Sequence, residues 1–205
     1  MLAADYELCQ DYLWIGGSRG GENVPNTLET LLDAAEDGMR LRGYHAVSFR
    51  ELADELGIKS SSVHYYFRQK EDLGQALIER YRERFFAALE AELTGAEPPQ
   101  ERVRAFTRVY RQALISSDKI CLCGMLGAES CGLPEPVTAA VAKFFDDNIE
   151  WLVANLPAEL PAADRRKKAH HIVATLQGAM MLASSLGKHR VFDGAVQDLL
   201  NSLEQ

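Results

Sequence analysis

The chain has 205 residues, of which 47% are hydrophobic and 25% charged, a mix that excludes a disordered chain and suits one large domain or a small one joined to a medium one. Its net charge of −8 argues, taken alone, against nucleic acid, because phosphate contact needs Lys and Arg. No apolar run approaches the roughly 20 residues that cross a bilayer, and the start lacks the basic and apolar pattern of a secretory signal, so a cytoplasmic protein without a membrane partner is expected.

Residues 1–25 read as an N-terminal extension, with loop chemistry in "IGGSRGGENVPN". A genuine loose tail is the first reading. An arm that packs Tyr12, Trp14 and Ile15, or that reaches a groove through Arg19, is a second. A third makes Val24 the true start of translation. In "TLETLLDAAEDGMRLRG", Leu28, Leu31, Leu32, Ala35 and Met39 recur at helical spacing, Asn26 or Thr27 serves as a cap and Gly43 as a stop. Ser48 followed by Glu51 is a capping-box pattern opening a short helix with Phe49, Leu52, Ala53 and Leu56 inward, and Gly57 ends it. A further helix starts near Ser60–Ser62, whose hydroxyls suit orphan amides. Two short helices joined by a glycine turn form a helix-turn-helix pattern.

Leu73, Leu77, Tyr81, Phe85 and Leu89 recur every four residues in a helix from about Lys70 to Leu93. Val103, Phe106, Tyr110 and Leu114 mark the next helix. The stretch "ICLCGMLGAES" is apolar nearly all round and is expected to be buried. Val137, Val141, Phe144, Phe145, Ile149 and Leu152 mark another helix, and the last two span about 165–186 and 191–203. No strand alternation stands out, so the fold class is all-α.

Charge is distributed unevenly. Residues 38–50 hold Arg40, Arg42 and Arg50 and no acid, and residues 56–70 hold Lys59, Arg68 and Lys70 and no acid. Local distribution outweighs the total, and these windows flank the helix-turn-helix. The stretch 43–73, "GYHAVSFRELADELGIKSSSVHYYFRQKEDL", resembles the TetR family of transcriptional regulators through Gly43, Tyr44, Gly57, Tyr66, Phe67, Lys70, Glu71 and Leu73, in order. His64 stands where the family usually has tyrosine and Ser61 where glycine is common; the N-terminal extension is longer than usual. The resemblance implies residues 26–72 as a DNA-binding head and residues 73–205 as a helical body for ligand binding and dimerisation. It also implies a homodimer on a palindromic double-stranded operator, as a repressor released by a small-molecule effector.

A recognition helix offers its first residues to base edges while its flanks meet phosphates. Ser48, Arg50, Lys59, Ser60, Ser61, Ser62, His64, Tyr65 and Lys70 are therefore the DNA-contact candidates, with Tyr66 and Phe67 assigned to the core. The serines also fit plain helix capping, and His64 and Tyr65 an ordinary surface. In the body, Phe106, Tyr110, Met125, Phe144, Asn148, Trp151, His171 and Met180 are candidates for an effector pocket, each of them also a plain core position. "RRKK" at 165–168 reads as a solvated helix face. The final two helices offer a dimer stripe of Ile172, Leu176, Ala179, Ala183 and Leu186, with Gly178 allowing close approach. Val196, Leu199, Leu200 and Leu203 extend it.

Cys121, Cys123 and Cys131 are candidates for redox sensing, with buried small residues as the alternative. Cys9 completes the four cysteines, and reduced thiols are expected. No metal or cofactor site is expected, since zinc needs clustered ligands, and no catalytic constellation is recognisable. "GGSRGG" lacks the strand and lysine of a phosphate loop. Two rival functions stay open: a helical interaction protein without DNA binding, and an enzyme of unrecognised type.

Overall fold

The computed structural model describes residues 27–203. Residues 1–26, and with them the readings of Cys9, Tyr12, Trp14, Ile15, Arg19 and Val24, lie outside the described residues. Among the described residues the chain is all-α: α1 Thr27–Arg42, α2 Phe49–Leu56, α3 Ser60–Tyr66, α4 Lys70–Ala91, α5 Pro99–Ser117, α6 Leu122–Ala128, α7 Glu135–Asn155, α8 Ala162–Leu186 and α9 Arg190–Leu203. A single 3-10 turn, Ser130–Gly132, precedes α7. No helix among them is long and apolar enough to cross a membrane.

The helix ends follow local chemistry. Gly43, at φ +85°, stops α1 and donates its N–H to the Met39 carbonyl at 2.9 Å. A left-handed residue there favours glycine because a Cβ would meet the following carbonyl. The Ser48 Oγ accepts the Glu51 N–H at 3.2 Å and so caps α2. Gly57, at φ 63°, closes α2 by donating to the Ala53 and Asp54 carbonyls. Proline at the first position opens α5, where its missing N–H removes no bond.

The chain divides into two compact units. One holds the described residues up to Arg82 together with Leu122–Val141; the other holds Glu83–Cys121 and the described residues from Ala142 onward. The packing division therefore differs from the sequence division at residue 72, because α6 and the start of α7 pack with the head. In this first unit α1 lies against both α2 and α6. Leu31, Ala35, Met39, Leu52, Val63, Leu73 and Leu77 are buried there, which removes the apolar stripes of four helices from water.

A charged network braces the same unit. The Arg80 guanidinium meets Glu29 at 2.9 Å, Asp33 at 2.9 Å and Glu36 at 3.3 Å, tying α4 to α1. Arg40 lies 3.8 Å from Glu36 with almost no exposed side chain. Arg40 therefore leaves the basic surface to which its charge window assigns it: buried charges must be paired, and its partner is on its own helix.

The second unit is built on rings. Phe85 sits edge-on to Phe106, Tyr110 and Phe144, at 5.7, 5.2 and 5.5 Å between centroids. Phe106 stacks on Trp151 at 5.4 Å. α8 and α9 pack along each other. The expected dimer stripe on α8 is corrected here, since Ile172, Leu176, Ala179 and Ala183 are buried within the chain. The large apolar residues that α8 leaves exposed are Met181, Leu182 and Leu186, each half or more accessible. Gly178 lies exposed as well, one turn before Leu182.

Candidate functional site

The α2–α3 surface is built on a few inward anchors. Val63 is buried under α3, and Phe67 under the turn that follows. Every neighbour of Val63 on α3 other than this anchor is left at the surface or half-buried. Lys59, not a serine, is the residue that precedes the helix, and it forms no side-chain cap. Ser60, Ser61 and Ser62 therefore occupy the first turn itself, and the capping role expected of them is not the one they play. Ser60 and Ser61 are exposed and Ser62 half-buried, so their hydroxyls stand at the open end of α3.

His64 is exposed, with its ring edge-on to Phe49 at 5.0 Å, which fixes α3 against α2. Tyr65 is 83% exposed and packs only against Tyr66, at 5.1 Å between centroids. An aromatic side chain so open is not held there by burial. Tyr66 is itself 37% exposed, so its assignment to the core is corrected; helix α3 carries one buried stripe, and Val63 and Phe67 fill it. Ser48 caps α2 through its oxygen, which leaves its O–H free to donate. Arg50 is 89% exposed and only 3.9 Å from Asp54, too loose a pair to hold it. Arg68 is exposed beyond α3.

Lys70 differs from the other candidates. Its ammonium lies 4.4 Å from the centre of the Tyr44 ring, a cation–π contact inside the unit. Burial pushes its pKa down, opposed by the carboxylates of Glu51 and Glu129. The same burial, with Glu71, pushes the Tyr44 hydroxyl up. Lys70 is thus half committed to holding Tyr44.

Tyr44 belongs to a junction that the sequence pattern did not single out. Its backbone N–H donates to the Glu129 Oε2 at 2.8 Å. The His45 Nε2 lies 3.1 Å from the Gly132 carbonyl oxygen. A Cβ on Gly43 would overlap the Glu129 carboxylate. The α1–α2 turn is therefore docked on the segment between α6 and α7 by one carboxylate and one imidazole. Glu129 lies 85 residues from Tyr44, so only an observed contact could have paired them.

In the second unit, Phe106, Tyr110, Phe144 and Asn148 come together with the half-buried Trp151. The Tyr110 hydroxyl donates to the Asn148 Oδ1 at 3.1 Å, and the Asn148 Nδ2 donates to the Phe144 carbonyl at 2.7 Å. Gln177 Nε2 donates to the Tyr110 oxygen at 3.3 Å. These polar groups satisfy one another, as buried groups must. Met180 is buried on α8, whereas His171 is exposed and Met125 belongs to the other unit. A cavity of about 200 Å³ in the second unit is lined instead by Val103, Arg104, Leu156, Leu160, Lys168, Leu200, Leu203 and their neighbours, and by none of the eight residues expected for a pocket. Cys121 and Cys123 are buried and Cys131 is exposed, so of the three redox candidates only Cys131 is open to a soluble oxidant.

Two family models match successive stretches of the chain. A family model described as bacterial regulatory proteins, tetR family, matches residues 31–77. A second, described as the C-terminal domain of LmrA/YxaF-like transcriptional regulators, matches residues 99–197. The transcriptional regulator AcuR of Cereibacter sphaeroides is 33% identical over 130 residues, 62% of this chain and 59% of that protein. The HTH-type transcriptional repressor NemR of Escherichia coli is 30% identical over 58% of this chain and 61% of its own length. These matches thus span less than two thirds of either relative. A crystal structure of a TetR transcriptional regulator from Legionella pneumophila superposes with a TM-score of 0.82 at 29% identity, covering 88% of this chain and 98% of that one.

Proposed function

We propose that this chain, which belongs to the tetR family of bacterial regulatory proteins, is a ligand-responsive repressor that binds a double-stranded operator through the α2–α3 surface and leaves it when a small molecule occupies the body. The observation that carries the reading is the α3 face. Tyr65 stands 83% exposed beside the open hydroxyls of Ser60 and Ser61, and His64, Lys59 and Arg68 flank it. Short hydroxyls admit close approach, rings touch bases or donate to phosphates, and cations neutralise the backbone. Arg50 and Ser48 add phosphate contacts from α2. Lys70 is a weaker contact than its charge suggests, because Tyr44 already holds its ammonium.

A palindromic site needs two heads, and a second copy supplies the other. The face of α8 around Met181, Leu182 and Leu186 is the apolar surface that such a copy covers, with Gly178 admitting a close crossing. The compact unit with α2 and α3 is the DNA-binding part, and the unit with the ring cluster holds the effector and the dimer face. NemR is by its name a repressor, and the same sign of regulation is assigned here.

Fluorescence anisotropy of a labelled duplex from upstream of the gene, against a scrambled duplex, tests the reading at several salt concentrations. The expected result is tight, preferential binding whose affinity falls steeply with salt, since each phosphate contact adds about 0.9 to the logarithmic salt slope. Equal and weak binding to both duplexes overturns it.

A further inference from the structure

The cavity of about 200 Å³ in the second unit has a wall chemistry that selects its occupant. Val103 of α5, Leu156 and Leu160 around the end of α7, and Leu200 and Leu203 of α9 give it an apolar lining. Lys168 of α8 lines the same space, is half-buried, and among the described residues makes no hydrogen bond or ion pair. Arg104 and Glu159, one cation and one carboxylate, also line it, so the charge that the lining leaves without a counterpart is that of Lys168. The local balance therefore favours a negative group. The first turn of α5, with Pro99 and Gln100, adds the positive end of a helix to the same lining.

The space is a cleft partly open to solvent, with Val103, Leu156 and Leu200 buried in its wall and Gln100 and Glu159 exposed. Water gains little in it, because apolar walls offer no hydrogen bonds. A single-chain apolar tail gains more, and an unpaired half-buried ammonium is the feature that an anionic head would satisfy. At about 200 Å³ the space is small beside the roughly 300–1,000 Å³ of drug-sized sites, which suits a short single chain such as an eight-carbon acid.

We infer that this cavity is the effector site and that it takes a medium-chain monocarboxylate, tail between Val103, Leu156 and Leu200, carboxylate on Lys168. This rests on the ligand-responsive reading given above. The tail supplies affinity by burial, and the ammonium distinguishes the acid from the alcohol or amine of the same length.

The test uses octanoate on the full chain, with hexanoate, dodecanoate, octanol and octylamine as comparators, followed by isothermal titration calorimetry. Each added methylene should tighten binding about fourfold while space remains, so octanoate should exceed hexanoate by roughly tenfold or more, with no further gain at dodecanoate. Lys168→Gln should weaken octanoate by about tenfold and leave octanol unchanged. Val103→Trp, which fills the space, should abolish binding; because overpacking can also unfold the unit, the Lys168 variant carries the decision. Octanoate should also weaken duplex binding in the anisotropy measurement. No octanoate binding, a chain-length series that keeps tightening to dodecanoate, or binding indifferent to Lys168→Gln overturns the site. Octanoate binding that leaves duplex affinity unchanged overturns its role as effector. Duplex binding without octanoate is read separately in the same variants, so a failure of the cavity is distinguishable from a failure of the DNA-binding reading.

Discussion

Helix α3 and the ring cluster spend their side chains in opposite ways. On α3, Val63 is the buried anchor, and the hydroxyls of Ser60 and Ser61 and the ring of Tyr65 face solvent. Around Phe85 the polar groups bond to one another: Gln177 donates to Tyr110, Tyr110 to Asn148, and Asn148 to the Phe144 carbonyl. A surface with open donors is prepared for a partner, whereas a core whose donors meet internal acceptors is built to persist. The same residue types, tyrosine above all, thus carry recognition in one unit and stability in the other. Mutations that separate stability from DNA affinity test this contrast directly.

Phe85→Ala should have the largest effect. It removes the ring that touches Phe106, Tyr110 and Phe144, and aromatic truncation in a core costs about 3–5 kcal/mol. Urea unfolding measures it. A loss below about 1 kcal/mol would mean that the cluster collapses around the space or is not the core of its unit.

Gly43→Ala comes next, at about 2 kcal/mol. A left-handed alanine costs about 1–2 kcal/mol. The new Cβ also displaces the Glu129 carboxylate, and with it the bond from the Tyr44 N–H, worth about 1 kcal/mol. A carboxylate on a flexible stem moves easily, so the steric part alone is small. Glu129→Ala should cost about 1 kcal/mol by itself, and the double variant should cost less than the sum of the two. Strict additivity would show that Gly43 and Glu129 do not act on the same junction.

Tyr65→Ala sharpens the contrast from the other side. Its ring is almost free of internal contacts, so stability should change by less than about 0.5 kcal/mol. Duplex affinity should fall on the order of tenfold, the value of a hydrogen bond to a charged phosphate or of a well-placed base contact. Lys70→Ala should show the mixed pattern, because its ammonium both supports Tyr44 and adds charge. A Tyr65 variant that unfolds early while binding DNA normally would reverse the assignment of the two regions.

Legibility in the sequence followed the range of the interactions. Gly57, Ser48 and the apolar spacings of α1 and α4 were readable because caps and stripes are local, set within four residues. The charge windows were readable too, except at Arg40, whose partner Glu36 sits one turn back on the buried side of α1. Tyr66 was misjudged because a seven-residue helix has room for one inward stripe, and periodicity does not say which aromatic fills it. The dimer stripe on α8 failed for a related reason: a helix apolar on two faces does not reveal which face meets its own chain. The Glu129 junction and the cavity were not legible at all. Each depends on residues far apart in sequence, and neither leaves a local pattern. The resemblance to the family rested on the local part, the same stretch that the tetR family model matches.

The smallest effect is expected at an exposed loop of the second unit, where hydrogen bonds to a carboxylate stand in the open rather than under rings. The Thr94 hydroxyl and backbone N–H both donate to the Glu97 Oε1 at 2.6 Å, and the Gly95 N–H donates to its Oε2 at 3.0 Å. The Thr94 hydroxyl first, and then these amides, hold the carboxyl down at about 2, from an ordinary 4.5. A depressed carboxylate contributes its stability in full above 4.5 and loses it as pH falls toward about 2, so the loop should loosen only across that acid window. The bonds from Gln177 to Tyr110, from Tyr110 to Asn148 and from Asn148 to the Phe144 carbonyl join no carboxylate and should pass through the same window unchanged. Carboxyl-carbon NMR should place the Glu97 midpoint well below 4.5, and Thr94→Val should move it part of the way back, since the amides remain. A Glu97 midpoint near 4.5 in the unmodified chain would show that solvent competes successfully for all three donors, and that only bonds shielded like those of Asn148 persist in this unit.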